Sequence, residues 1–286
     1  VSDPNWPPLW RPLELMPRAI HVNGEPAVLA LPCLGIVGTR RATPRGLAVA
    51  RGLAQKLSNA GWVIVSGLAR GIDAAAHRGA LEAGGRTIAV MATGNDRCYP
   101  PAHRGLLAQI RARGCSVTEF APGTPPLKHH FLQRNRLLAG MCKGVIIVEA
   151  PLRSGALTTA REALDAGRDV FAVPGPVDVE TSRGCHRLLR EGACLVESAA
   201  DVLEALGAPD PAGALAGLGA GPALPEHAAA RWLHARLDLD GCGRDQLRLQ
   251  WPGDEQGFVE GVTALEMAGL IRRLPGGRLA RRLWPG

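Results

Sequence analysis

Leu34-Gly35-Ile36-Val37-Gly38-Thr39-Arg40-Arg41-Ala42-Thr43-Pro44 is the stretch from which the fold is read. A short apolar run closed by glycine is the pattern of a strand buried on both faces, as in a parallel sheet. Thr43 followed by Pro44 makes an N-cap and a first helical position. Leu47, Ala50, Leu53, Ala54 and Leu57 continue at helical spacing until Gly61. Outward from this unit the pattern repeats. Residues 62–65 read as the next strand, 66–71 as a second glycine-rich turn and 72–83 as a helix. Further strands are expected over 86–92, 115–120, 144–150, 169–173 and 193–196, with helices over 155–166 and 184–190. Parallel strands need crossover helices, so the alternation predicts an α/β fold over 34–206: a Rossmann-like, doubly wound, mainly parallel sheet.

The flanks differ in composition. Residues 1–33 hold seven prolines and two tryptophans with no sustained period, and read as an extended arm with a short strand around 19–22. Residues 207–224 are almost all Gly, Ala and Pro, a linker too poor in large side chains to build a core. Beyond it, helices are expected over 226–237, near 244–249 and over 256–269. Segments 270–273 and 278–282 then flank Pro275-Gly276-Gly277, a β-hairpin signal. Three helices and a hairpin predict a small winged-helix-like domain over 225–286, a module that reads duplex DNA or docks proteins. The chain opens on Val1 rather than Met, and the expectation is that an N-terminal segment has been removed.

The 286 residues are 46% apolar, enough for a sizeable core, and carry a formal charge of +7, which favours a polyanionic partner. Aromatics are only 4%, so an aromatic-lined channel for a long strand is not expected. The seven cysteines lack CxxC spacing, which argues for free thiols in a reducing, cytoplasmic compartment rather than zinc or disulfides. No apolar run approaches the roughly 18 residues of a membrane span.

Ligands of doubly wound sheets bind beyond the carboxyl ends of the strands. At that edge the first turn, with Gly38, Thr39 and Arg40, is suited to one phosphate held by backbone N–H groups and the Arg40 side chain. It lacks the G-x-G-x-x-G spacing, and Ser66 rather than an acid ends the second strand, so no dinucleotide cofactor is expected. The second turn, Ser66-Gly67-Leu68-Ala69-Arg70-Gly71, offers Ser66, free N–H groups and Arg70. Asp73 reads as a helix cap. No G-x-S-x-G elbow surrounds Ser66, and the histidines do not fall at metal-ligand spacing. Glu149, closing a strand, is placed to fix a loop, through an arginine.

The third candidate is 126–140, with a helix beginning near Leu132. Lys128 to Arg136 hold three cations, two histidines and Phe131, one of four phenylalanines. Cations around an aromatic face hold single nucleic-acid strands by neutralising phosphates and stacking a base. The plain alternative is a solvated basic loop before a core helix. Lys128 and Phe131 are assigned to charge and stacking, and Arg134, Asn135 and Arg136 to a mixture of phosphate contact and scaffold.

Taken in order, several motifs resemble one family. They are Gly38-Thr39-Arg40, Ser66-Gly67-x-Ala69-x-Gly71-Ile72-Asp73-x-x-Ala76-His77, Tyr99-Pro100, and Phe131-x-x-Arg134-Asn135-Arg136-x-x-Ala139-Gly140. Val148-Glu149-Ala150-x-x-x-Ser154-Gly155, Gly167-Arg168 and Val173-Pro174-Gly175 follow. The chain resembles the DprA (Smf) family of DNA-processing proteins, densely over 34–206. The resemblance implies a non-enzymatic binder of single-stranded DNA that protects incoming DNA in natural transformation, helps load the recombinase RecA, and forms homodimers. It implies that Arg40 and Lys128 meet phosphate, that Phe131 stacks a base, and that Arg104 is basic at a position often so in the family. Two positions depart from the pattern: Leu132 replaces a proline, and His103 stands where Asn is common. The alternatives are a Rossmann-like nucleotide hydrolase, whose Pro-Gly-Gly-x-Gly-Thr motif is not matched by Val173-Pro174-Gly175-Pro176, and a transcription regulator reading duplex through the C-terminal domain. The segment 256–269 has Glu260 and Glu266 but no Lys or Arg, which counts against the latter.

Overall fold

The computed structural model describes residues 6–10, 17, 19–209, 227–237, 242–267, 270–274 and 277–281. They belong to two units, one within Pro7–Ala214 and one within Leu215–Gly286 together with Val1–Trp6.

The first unit runs β1 (His21–Gly24), β2 (Cys33–Val37), α1 (Pro44–Asn59), β3 (Val63–Ser66), α2 (Ile72–Glu82), β4 (Thr87–Val90), α3 (Arg104–Arg113) and β5 (Cys115–Thr118). It continues with α4 (Lys128–Met141), β6 (Gly144–Ile147), α5 (Gly155–Asp165), β7 (Asp169–Ala172), α6 (Arg183–Arg190), β8 (Cys194–Leu195) and α7 (Ala199–Leu206). The sheet order is β1-β5-β4-β3-β2-β6-β7-β8. All pairings are parallel except that of β1 with β5. Every residue of β2 to β6 is buried, which explains why these strands read as continuous apolar runs. The doubly wound, mainly parallel sheet is as the alternation predicts.

Chain direction in this sheet reverses at β2. The path steps outward from β2 through β3, β4 and β5, then α4 carries it back to β6 on the other flank of β2. Right-handed crossovers put the helices of the two halves on opposite faces. In keeping with this, α1 packs with α2, and α4 with α5. The gap between β2 and β6 is thus the topological switch point, where a crevice forms outside the carboxyl ends. The crossover helix α4 starts at that crevice.

Three local readings are corrected. Helix α4 starts at Lys128 rather than near Leu132, since nothing between Pro126 and Gly140 breaks a helix and the N-cap, Leu127, makes no side-chain cap to mark the start. Helix α3 was not anticipated, because it is polar and buries only Leu106, Leu107 and Ile110. Helix α7 likewise lies where the sequence pattern predicts no element, although Ser198 and Asp201 form a capping box at its start.

Where described, residues 7–33 are built into the unit. The edge strand β1 pairs with β5, His21 opposite Thr118, two residues beyond the predicted start. Trp10, Val28, Leu29 and Ala30 are buried. The Trp10 indole N–H donates to the Leu137 carbonyl at 2.8 Å, and Arg168 Nη2 donates to the carbonyls of Leu9 at 2.6 Å and Gly140 at 3.3 Å. The Gly140 carbonyl lies in the last turn of α4, where helices leave such acceptors without an internal partner.

The second unit comprises α8 (Ala228–Arg236), β9 (Cys242–Gly243), α9 (Arg244–Gln250), α10 (Glu255–Met267), β10 (Ile271–Leu274) and β11 (Arg278–Arg281), with sheet order β10-β11-β9. Ala230, Leu233, Leu247, Phe258, Val262, Leu265, Ile271 and Leu279 form its core. This is the element order of a winged helix. Pro275 and Gly276 of the expected hairpin turn, and the expected linker from residue 210 onward, lie outside the described residues.

One buried histidine gives the fold a pH dependence. Thr87 Oγ1 donates to the Ile64 carbonyl at 2.6 Å, so the His77 Nδ1–H must donate to that hydroxyl at 2.7 Å, leaving Nε2 buried without a partner. Burial, with lesser repulsion from His103, Arg134 and Arg78, pushes the His77 pKa down to about 3. Unfolded chain therefore binds a proton below about pH 6.5 that the native state refuses. Stability from this group falls as pH drops from about 6.5 toward 3, by up to about 1.4 kcal/mol per pH unit. Urea unfolding of the parent and His77→Asn at several pH values in this range should show a steeper loss for the parent. Parallel losses in the two proteins would contradict a neutral buried His77.

Candidate nucleic-acid interface

Five segments meet at the carboxyl edge: the turn after β2, the turn after β3, the loop after β4, the first turns of α4 and the loop after β6. Arg134 joins three of them, the turn after β3, the end of β4 and α4. Its side chain is buried, with Nη1 donating to the Gly67 carbonyl at 2.7 Å and to that of Val90, and Nε to the Asn135 side-chain oxygen at 3.3 Å. A Cβ on residue 67 would overlap this guanidinium, so glycine is required there. Burial lowers the Arg134 pKa to about 10, against the opposing pull of Asp73, and the group stays charged at neutral pH. In the first turn of α2, Asp73 is also buried. Its carboxylate accepts the N–H groups of Gly67 at 3.1 Å and Ala69 at 3.4 Å. Burial pushes its pKa up, while Arg134 and the backbone donors pull it down.

The turn after β3 is therefore closed on itself. Ser66 is fully buried and donates to the Ile36 carbonyl at 2.6 Å. Leu68, a non-glycine residue at φ 59, occupies the sparsely populated left-handed region, with its carbonyl accepting from His103 Nδ1 at 2.9 Å. His103, the departure from the family pattern, is a buried clamp on this turn.

The turn after β2 is closed in the same way. Thr39 N–H donates to the Glu149 carbonyl at 2.7 Å, and Thr39 Oγ1 accepts from Arg41 N–H at 3.2 Å. Thr43 caps α1 by accepting from Gly46 N–H at 3.0 Å. The Glu149 carboxylate accepts from the Thr43 N–H at 2.9 Å and hydroxyl at 2.5 Å. Glu149 thus fixes the turn through Thr43, not through an arginine. A carboxylate already occupies the start of α1, where the helix dipole favours an anion. Asp73 likewise holds the β3 turn, so it organises the loop rather than capping the helix.

These observations sort the predicted residues. Of the donors expected to grip phosphate, Thr39 N–H, the Ser66 hydroxyl and Gly67 N–H are engaged inside the protein, at the Glu149 carbonyl, the Ile36 carbonyl and the Asp73 carboxylate. Gly38 permits close packing, since a Cβ there would crowd Ile72 and the Glu149 carbonyl. Arg134 is scaffold. Asn135 is buried and donates to the Gly155 carbonyl at 3.3 Å, tying α4 to the start of α5. Arg136 is paired with Glu119, which reduces it as a phosphate contact.

Arg40, Arg70, Arg104 and Lys128 are exposed. Phe131 is half-buried, with the Arg40 guanidinium 4.9 Å from its ring centroid and Tyr99 against it edge-on at 5.7 Å. Phe131 forms the ridge between two clefts. One, of about 320 Å³ at the switch point, is lined by Arg40, Arg41, Asn135, Arg153 and Ser154 among others. The other, of about 360 Å³, is lined by Arg40, Arg41, Gly67, Arg70, Tyr99 and Phe131 among others. Lys128 lines neither, but stands one helical turn before Phe131 on the same side of α4. Arg41, Arg153 and Tyr99 also line these clefts and are not among the residues expected from the sequence, although Arg41 and Arg153 lie in the loops that follow β2 and β6, where the sheet-edge rule places ligands. Among the described residues no cluster of three or more His, Cys, Asp or Glu suits a metal ion, and no helix is long and apolar enough to cross a membrane.

Comparisons agree with this architecture. The chain is 46% identical over 187 residues to the DNA processing protein DprA of Streptococcus pneumoniae, covering 65% of this chain and 66% of that protein. It is 44% identical over 191 residues to Protein Smf of Escherichia coli, covering 66% of this chain and 51% of that protein. It thus spans about half to two thirds of the length of these curated relatives. The X-ray structure of DNA processing protein A from S. pneumoniae superposes with TM-score 0.69 at 44% identity, over 71% of this chain and 72% of that one. DNA processing protein A from Helicobacter pylori, whose structure concerns its single-stranded DNA binding mode, superposes with TM-score 0.65 at 31% identity, over 70% and 92%. Residues 1–207 match the family of DNA recombination-mediator protein A, and to that family this chain belongs.

Proposed function

We propose that the chain binds single-stranded DNA at the carboxyl edge of its sheet, without catalysing a reaction. The observation that carries this reading is Phe131, half-exposed on a ridge between two clefts and surrounded by the exposed cations Arg40, Arg41 and Arg70. Stacking on an aromatic face with phosphates neutralised alongside is how single strands are held without sequence preference. A nucleotide hydrolase would need a free carboxylate in the cleft. The two carboxylates nearest, Asp73 and Glu149, hold backbone donors instead. Family membership supports protection of DNA and loading of the recombinase RecA by a homodimer. Seven unpaired cysteines, four of them buried, favour the reducing cytoplasm. In this reading residues 34–206 form the DNA-binding domain and 225–286 a separate module joined through 207–224.

Binding of an oligothymidylate at several salt concentrations tests the site. Arg40→Ala and Lys128→Ala should each weaken binding and flatten the log–log salt slope by about 0.7. Phe131→Ala should cost about 1–3 kcal/mol with the slope kept. If all three bind like the parent, the site is elsewhere.

Arg134→Ala should behave differently. It strips two buried carbonyls of their donor and Asp73 of its cation, so unfolding free energy should fall by about 3–5 kcal/mol, whereas Arg40→Ala should leave the urea midpoint nearly unchanged. An Arg134→Ala protein as stable as the parent would refute the scaffold role.

A further inference from the structure

The binding edge does not end at the two clefts beside Phe131. A third, of about 520 Å³, adjoins them and is lined by Asp96, Arg97, Cys98, Tyr99, Arg104 and Arg111 among others. Tyr99 and Pro101 line both it and the second cleft, just as Phe131, Arg40, Arg41 and Ala69 line both the first and the second. The three clefts therefore form a row. Its two partitions are aromatic, Phe131 and Tyr99, with ring centroids 5.7 Å apart. Tyr99 is the only tyrosine of the chain and is 41% exposed, an uncommon setting for one of the few aromatic side chains.

The row follows the sheet. The first cleft opens between β2 and β6, the second includes the turn after β3, and the third lies at the end of β4. Neighbouring strands are about 4.8 Å apart, so the row spans about 14 Å from β6 to β4. A stacked strand rises about 3.4 Å per nucleotide along its axis, so the row matches about four nucleotides, fewer if the strand is extended.

Charge in the third cleft suits the same ligand. Arg97 and Arg104 are exposed, and neither side chain makes a hydrogen bond or ion pair among the described residues. Arg111 is engaged, donating to Ser116 Oγ at 2.9 Å and to the Asn95 carbonyl at 2.6 Å. The opposing carboxylate, Asp96, is engaged as well, accepting from Gly123 N–H at 2.8 Å. Two free guanidinium groups thus face the cleft against one carboxylate that is already bonded.

We propose that this third cleft receives the continuation of the DNA strand held at Arg40 and Phe131, with Arg97 and Arg104 on its phosphates and Tyr99 between successive bases. This rests on the single-strand reading of the neighbouring clefts. Its consequence is a contact that only a strand longer than the first two clefts can make.

Fluorescence anisotropy with a short oligothymidylate of about three nucleotides and a longer one of about eight, at several salt concentrations, separates the two ideas. The full chain, its Arg97→Ala/Arg104→Ala double variant and Arg40→Ala are compared. The double variant should lose most of the affinity gained on lengthening the strand, and its salt slope on the longer strand should fall by about 1.4, two contacts of about 0.7 each. Should the double variant match the parent on the longer strand while Arg40→Ala is weakened on both, the third cleft is not used and the neighbouring site stands. Should it lose equally on short and long strands, the cleft is not a continuation. Should Arg40→Ala also match the parent on both strands, the single-strand reading of this edge falls together with the proposal.

Discussion

The guanidinium of Arg134, buried between the β3 turn, the end of β4 and the crossover helix, is the interaction on which the binding edge depends. An ionised group in such a place is tolerated only when its donors are matched and an opposing charge stands near. Gly67 and Val90 supply carbonyls, and Asp73 supplies the charge while tying up the N–H groups of the same turn. One cation thereby fixes where α4 begins relative to two strand ends, and so where Phe131 stands. The glycine at 67 follows from it.

Both turns that in a dinucleotide-binding protein would cradle a pyrophosphate contain an internal carboxylate here. Glu149 sits at the start of α1 and Asp73 at the turn before α2. Backbone donors are consequently withdrawn from ligand binding, and what remains for an anion is side-chain charge. Side chains on exposed turns adapt to a flexible, sequence-variable polyanion more readily than a rigid amide cradle does. That fits a protein whose relatives process DNA better than one that binds a small nucleotide.

Strand order and turn placement were legible because they rest on local pattern: apolar runs, Thr43-Pro44, and glycines at strand ends. The site was legible in part. Arg40 and Phe131 stand together at the carboxyl edge, where the sheet-edge rule puts ligands. Arg134 and Arg136 look like further binding cations in sequence. Their partners, Gly67 and Glu119, are 67 and 17 residues away, and only the folded chain brings them together. The start of α4 was misjudged for the opposite reason, since a helix that begins on Leu127 without a capping side chain has no local signature. Ser66 looked like a phosphate ligand until the sheet buried it.

The bond from the Trp10 indole to the Leu137 carbonyl joins residues 127 positions apart, and that from Arg168 to Leu9 spans 159. During vectorial synthesis the turn around Trp10 emerges before α4 and has nowhere to dock until α4, and then the residues around Arg168, have left the ribosome. A nascent chain must carry Trp10 undocked while the 127 residues up to Leu137 are made. Docking of the helix that bears Phe131 is thus among the high-contact-order steps of folding, and an incomplete chain exposes an apolar anchor to other proteins before that helix is in place.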